Sequence, residues 1–147
     1  MRLLLDTHAL LWWLANDPAL SEEAGAAIAN PASVVFVSAA TAWEMAIKQA
    51  LGKLQAPSDL ERQLELNRFE PLSITVGHAY AAGTLPRHHD DPFDRMLVAQ
   101  ALTEQLTVIT KDARIGSYGV ATLPAVAGRP EVIQAAGRAG SGVNLRL

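Results

Sequence analysis

The chain has 147 residues, 50% of them apolar and 18% charged, with a formal net charge of −3. That length fits one domain and is too short for two ordinary ones, the apolar share excludes a disordered chain, and the negative balance excludes a basic nucleic-acid coat. Cysteine is absent, so disulfides, thiol catalysis and thiolate metal sites are excluded and any metal must be held by oxygen or imidazole.

Met1-Arg2-Leu3-Leu4-Leu5 opens like a signal peptide, but Asp6 and His8 interrupt it and no small-residue cleavage site follows. No apolar run reaches the ~18 residues of a bilayer span. The expectation is a cytoplasmic protein with no membrane partner. Leu3–Leu5 reads as a buried strand stopping at a carboxylate. Residues 8–15 read as a helix, apolar all round through Leu10, Leu11, Trp12, Trp13 and Leu14 and ended by Asn16-Asp17-Pro18. Ser21 caps a second helix with Glu22 and Glu23 in its first turn, and Asn30-Pro31 stops it.

Val34–Val37 is β-branched and aromatic, hence a second strand. Ser38 caps the helix that runs on to Gly52. Ser58-Asp59-Leu60-Glu61 has the form of a capping box for a helix reaching Arg68. Phe69–Ile74 is a weaker strand, and Thr75 caps a helix ending near Gly83. A polar loop over 85–91 leads to Asp91-Pro92, a helix start with proline at the first helical position, and that helix extends to Gln105. Thr107–Thr110 is a strand followed by Lys111-Asp112, and Tyr118–Thr122 is a last weak strand. Strand and helix alternate throughout, which predicts a three-layer α/β/α sandwich with a mostly parallel central sheet over residues 1–123. Residues 124–147 differ: they are glycine-rich, carry three arginines against one glutamate, and read as an extension with one short helix over 131–136.

Four acids stand where plain folding prefers something apolar. Asp6 and Asp112 follow the carboxyl ends of two strands, where open α/β sheets bind ligands. If those strands are neighbours, the two acids are close. Taken singly, each also reads as a helix or turn cap. Asp94 lies three, four, seven and eight residues before Leu97, Val98, Ala101 and Leu102, in register with the core stripe, where an unpaired charge is costly. The first-turn dipole accounts for an acid there but less well for its alignment. Glu44 shares a side with Ile47 and Leu51. Alone it reads as a surface pair with Lys48, and as a fourth acid near the same sheet edge it becomes a ligand or a water-positioning base. Converging carboxylates without lysine or arginine partners would repel one another unless a hard divalent cation joins them. Such a site hydrolyses phosphodiesters.

Leu3–His8, Thr41–Lys48, His89–Ala101 with its Asp-Pro-Phe-Asp-Arg block, and Val108–Asp112 together resemble a PIN domain of the VapC toxin type, in that family's order over roughly residues 1–123. The resemblance implies a Mg²⁺-dependent endoribonuclease, with Mn²⁺ as a substitute, acting on RNA. It also implies a cognate VapB-type antitoxin and a homodimer. The family's acidic positions map onto Asp6, Glu44, Asp94 and Asp112, with Asp6 and Asp94 as the direct metal ligands, and Thr7, Ser38 and Thr110 match hydroxyls that hold carboxylates or waters. His88-His89-Asp90-Asp91 reads as a solvated loop before a capped helix rather than a metal tract. A haloacid-dehalogenase site would need an acid at position 8, which is His8. A non-catalytic RNA- or protein-binding module on the same fold is the other reading of these residues.

Overall fold

The structure is a computed structural model and describes residues 1–128. Its first strand, β1 (Arg2–Leu5), shows how the fold is built. Leu3, Leu4 and Leu5 are all fully buried. Side chains alternate across a strand, so Leu3 and Leu5 enter one apolar cluster and Leu4 enters the other, on the opposite face. A strand buried on both faces requires helices on both sides. Each leucine contributes about 1.5–3 kcal/mol by leaving water.

The helices α1 (Thr7–Leu14), α2 (Glu22–Ala29), α3 (Ala39–Ala50) and α4 (Leu60–Leu66) contribute side chains to the first cluster. Between them run β2 (Val34–Ser38) and, after α4, β3 (Glu70–Leu72). The chain then forms α5 (Val76–Thr84), α6 (Pro92–Glu104), β4 (Thr107–Thr110), a 3₁₀ helix (Ala113–Tyr118) and β5 (Thr122–Pro124). Leu97, Val98 and Ala101 of α6 and Ile115 of the 3₁₀ helix build the second cluster. Trp12 and Trp13 are half-buried against the first cluster, and Trp13 Nε1 donates to Asn67 Oδ1 at 2.9 Å.

The sheet is wholly parallel in the order β3-β2-β1-β4-β5. The chain winds from β1 outward through β2 and β3, then returns to lay β4 on the other side of β1. Between β1 and β4 the winding direction reverses, which makes the crevice at their carboxyl ends the place for a ligand. Leu5 is in register with Ile109, and the Asp6 amide donates to the Ile109 carbonyl at 3.0 Å.

The caps read from the sequence at Ser21, Ser38, Thr75 and Asp91 all form. At Thr75 the reciprocal partner of the capping box is His78, whose Nδ1 accepts the Thr75 amide. The box expected at Ser58–Glu61 does not form: Asp59 is the cap residue and its side chain takes no cap hydrogen bond. The weak strand expected over Tyr118–Thr122 lies later, because Asp112 caps a 3₁₀ helix that runs to Tyr118 and ends on Gly119 at φ +80°, a left-handed turn that glycine adopts without strain. Pro124 belongs to β5 and Ala125 is fully buried. The short helix expected over 131–136 lies outside the described residues. No helix of the described residues is long and apolar enough to cross a membrane.

Candidate metal-dependent active site

The acids arrive from four elements. Asp6 leaves β1 and caps α1: its Oδ1 accepts the Ala9 amide at 2.8 Å, and the residue is only 5% exposed. Burial pushes its carboxyl above the ordinary range, against the pull of the Ala9 amide and the Thr110 hydroxyl. Glu44, in the second turn of α3, is buried. Its Oε1 accepts the Thr7 hydroxyl at 2.6 Å and its Oε2 the Lys48 ammonium at 2.9 Å.

Asp94 sits in the first turn of α6, behind the cap Asp91, whose Oδ1 accepts both the Phe93 and Asp94 amides. Burial, with the negative charge of Asp91 next in importance, raises the Asp94 carboxyl to about 6. Asp112 leaves β4 and caps the 3₁₀ helix. The Arg114 guanidinium grips both its oxygens, at 3.1 Å from Nε and 2.9 Å from Nη2, and holds its carboxyl down at about 2.

All four carboxylates line one pocket of about 120 Å³, joined there by Asp91, Lys48 and Lys111. A much larger groove of about 730 Å³ bordered by α3, α4 and β3 has mainly apolar walls and touches none of the four acids.

The structure refines the expectation of partnerless acids. Glu44 has Lys48 and Asp112 has Arg114, but neither Asp6 nor Asp94 has a lysine or arginine partner among the described residues. Arg95, although adjacent to Asp94, turns away from it: its two terminal nitrogens donate to the carbonyls of Ala82, Leu85, Pro86 and His89 and to the Tyr118 hydroxyl. The core register of Asp94 is correct for Leu97, Val98 and Ala101, whereas Leu102 is 43% exposed, because the stripe drifts around α6 over two turns.

Two participants escaped the sequence. His89 was read as a solvated loop residue, yet it is 6% exposed, with Nε2 2.9 Å from Asp112 Oδ2 and 3.0 Å from Asp94 Oδ2. His89, Asp94 and Asp112 are the one group of potential ligands among the described residues whose ligand atoms converge within 4.8 Å. Asp91 was read only as a cap. A polar loop has no hydrophobic period, so no pattern marks which of its side chains turns inward. At the rim, exposed Trp43 meets Phe93 edge-on at 5.5 Å between ring centroids; the two are sequence neighbours of Glu44 and Asp94.

The donor set fits a hard cation. Five carboxylates share the pocket with two lysines, and burial disfavours the ionised forms of Asp6 and Asp94, neither of which has a lysine or arginine partner among the described residues. Carboxylate oxygens suit hard divalent cations.

A PIN domain model matches residues 3–120. Ribonuclease VapC22 of Mycobacterium tuberculosis is 32% identical over 118 residues, spanning 78% of this chain and 90% of that protein. Among solved structures, VapBC2 from Rickettsia felis bound to a DNA fragment from their promoter aligns with a TM-score of 0.63 at 14% identity, over 84% of this chain and 98% of that one. A toxin–antitoxin complex from Klebsiella pneumoniae aligns at 0.58 and 18% identity, over 82% of this chain and 94% of that one.

Proposed function

This chain belongs to the PIN-domain family, and from that premise we propose that it is a VapC-type ribonuclease toxin, a metal-dependent endoribonuclease that hydrolyses RNA phosphodiester bonds. The observation that carries the reading is the meeting of Asp6, Glu44, Asp94 and Asp112 in one pocket at the switch point of the sheet.

Asp6 and Asp94 are the residues that would hold Mg²⁺ or Mn²⁺, with Asp112 beside them. Such an ion supplies a Lewis acid for phosphoryl oxygens and lowers the pKa of a bound water. Glu44, fixed from both sides by Thr7 and Lys48, presents a carboxylate of set orientation that aligns the attacking water. The Thr110 hydroxyl, which favours ionised Asp6, also accepts the Asp112 amide at 3.0 Å, so one residue serves both strand-end acids. Lys111 at the pocket wall and Arg114 beside Asp112 offer positive charge to the phosphates on either side of the scissile bond. Trp43 offers an aromatic face on which an unpaired base stacks, which favours single-stranded or looped RNA.

A VapB-type antitoxin and a second copy of this chain are the protein partners of this reading. Val76 and Tyr80, one turn apart on α5 and 80% and 78% exposed, are apolar surface open to such a contact. The test is cleavage of a mixed RNA pool by purified protein with Mg²⁺, with EDTA, and as Asp94→Asn. Cleavage that needs the metal and vanishes in a folded variant is expected. Cleavage equal in EDTA refutes the metal-dependent reading, and RNA binding without cleavage leaves the non-catalytic module.

A further inference from the structure

We propose that His89 is a positioning residue which fixes the spacing of Asp94 and Asp112 as a hydrogen-bond donor, and that it is not itself a metal ligand.

His89 bridges two acids that come from different elements and are 18 positions apart in the chain. Its Nδ1 accepts the backbone amide of Asp91 at 3.1 Å. A ring nitrogen that accepts carries the lone pair, so the ring proton sits on Nε2. That N–H donates to Asp112 Oδ2 at 2.9 Å, with Asp94 Oδ2 3.0 Å away. With Nδ1 engaged by the backbone and Nε2 protonated, the ring has no lone pair to offer an ion. The convergence of His89, Asp94 and Asp112 therefore does not make a mixed nitrogen–oxygen site. It makes two oxygen donors spaced by an imidazole that supplies no ligand atom of its own, and the pocket keeps its preference for hard cations.

His89 is itself clamped. The His89 carbonyl accepts from Arg95 Nη1 at 3.3 Å and from the Tyr118 hydroxyl at 3.4 Å, while the Asp91 amide holds the ring plane. Arg95 lies beside Asp94 on α6 and Tyr118 ends the 3₁₀ helix that Asp112 caps. Asp112 is thus tied to His89 twice, through the ring and through Tyr118 of the helix it caps, while Asp94 lies 3.0 Å from the ring and is joined to His89 through Arg95 of its own helix.

The proposal rests on the metal-dependent reading of the pocket, and the two are separable. Asparagine at 89 places an acceptor where Nδ1 lies but does not reach the acids. Glutamine at 89 places a donor where Nε2 lies. We expect His89→Asn to lose about 10–100-fold in Mn²⁺ affinity, measured by electron paramagnetic resonance, and in RNA cleavage, and His89→Gln to stay within a few-fold of the parent protein on both. An Asn variant indistinguishable from the parent, or a Gln variant as impaired as Asn, overturns the proposal. Independently of either variant's folding, long-range ¹H–¹⁵N spectra of the parent protein's imidazoles should show His89 protonated at Nε2 before and after Mg²⁺ is added. Loss of that proton on adding Mg²⁺, or a ring protonated at Nδ1 instead, overturns it as well. Asp94→Asn tests the parent reading alone: if it still binds Mn²⁺ and cleaves RNA, the pocket is not the metal site, whatever His89 does.

Discussion

Replacing Asp94 by asparagine should stabilise the metal-free protein while removing its chemistry. The Asp94 carboxyl rises from 3.8 to about 6 on folding, mainly because burial disfavours its charge and Asp91 adds to the repulsion. Just over two pH units at about 1.4 kcal/mol each sets a ceiling of about 3 kcal/mol. The side chain retains 24% exposure, so solvent screening reduces the realised effect to about 1–2 kcal/mol. The sign follows from proton counting. Between pH 3.8 and about 6 the folded protein holds this proton and the unfolded chain has released it, so wild-type stability falls as pH rises through that window. Asparagine carries no such proton and does not share the loss. In urea unfolding with EDTA, the variant should match wild type near pH 4 and exceed it by about 1–2 kcal/mol near pH 7.5. Adding saturating Mg²⁺ should reverse the order, since only the wild type gains binding energy, about 2.7 kcal/mol at a hundred times Kd. A variant no more stable than wild type near pH 7.5, or a difference independent of pH, would refute the claim that Asp94 is held ionised at a cost.

Arg114→Ala should let the Asp112 carboxyl rise from about 2 toward its ordinary ~3.9, read by carbon-13 NMR titration. A depressed carboxyl adds stability above its unfolded pKa and loses it as pH falls toward its folded one, so the variant should lose less stability on acidification than wild type. An unmoved Asp112 would mean that Arg114 is not what holds it. Arg95→Met strips five donated hydrogen bonds from the last turn of α5, the loop that follows it and Tyr118. It should cost about 2–4 kcal/mol in urea unfolding, and a cost below about 0.5 kcal/mol would show that those carbonyls are satisfied by water instead. Trp43→Ala, made in the Asp94→Asn background, should weaken single-stranded RNA binding by about 1–3 kcal/mol, with Trp43→Tyr retaining most of it. Equal binding by all three proteins removes the stacking role.

Much of the fold was written locally. The continuous apolar run Leu3-Leu4-Leu5, the hydroxyl caps at Ser21, Ser38 and Thr75, and the Asp91-Pro92 helix start act within one or two turns of chain, so short windows of sequence reveal them. The same locality accounts for the errors. A capping box at Ser58 and a helix that starts at Asp59 without a side-chain cap differ by one residue of backbone geometry, and the 3₁₀ helix that Asp112 caps displaces a strand placed by β-propensity alone.

For the site, the sequence determined which carboxylates were out of place: Asp6 and Asp112 by ending apolar strands, Asp94 by standing in register with Leu97 and Val98, and Glu44 only once the others were known. Tertiary structure decided that they meet. That depends on β4 lying beside β1, a pairing across more than a hundred residues that no periodicity encodes. It also decided their partners, because hydrogen bonds between distant elements depend on where a side chain points. Arg95 turns from the adjacent Asp94 to four carbonyls and a hydroxyl, and His89 leaves a polar loop to stand between two acids. Burial propensity is carried along the chain as a repeating pattern, whereas the direction of a single polar side chain is fixed only when the packed elements leave it one set of partners to satisfy.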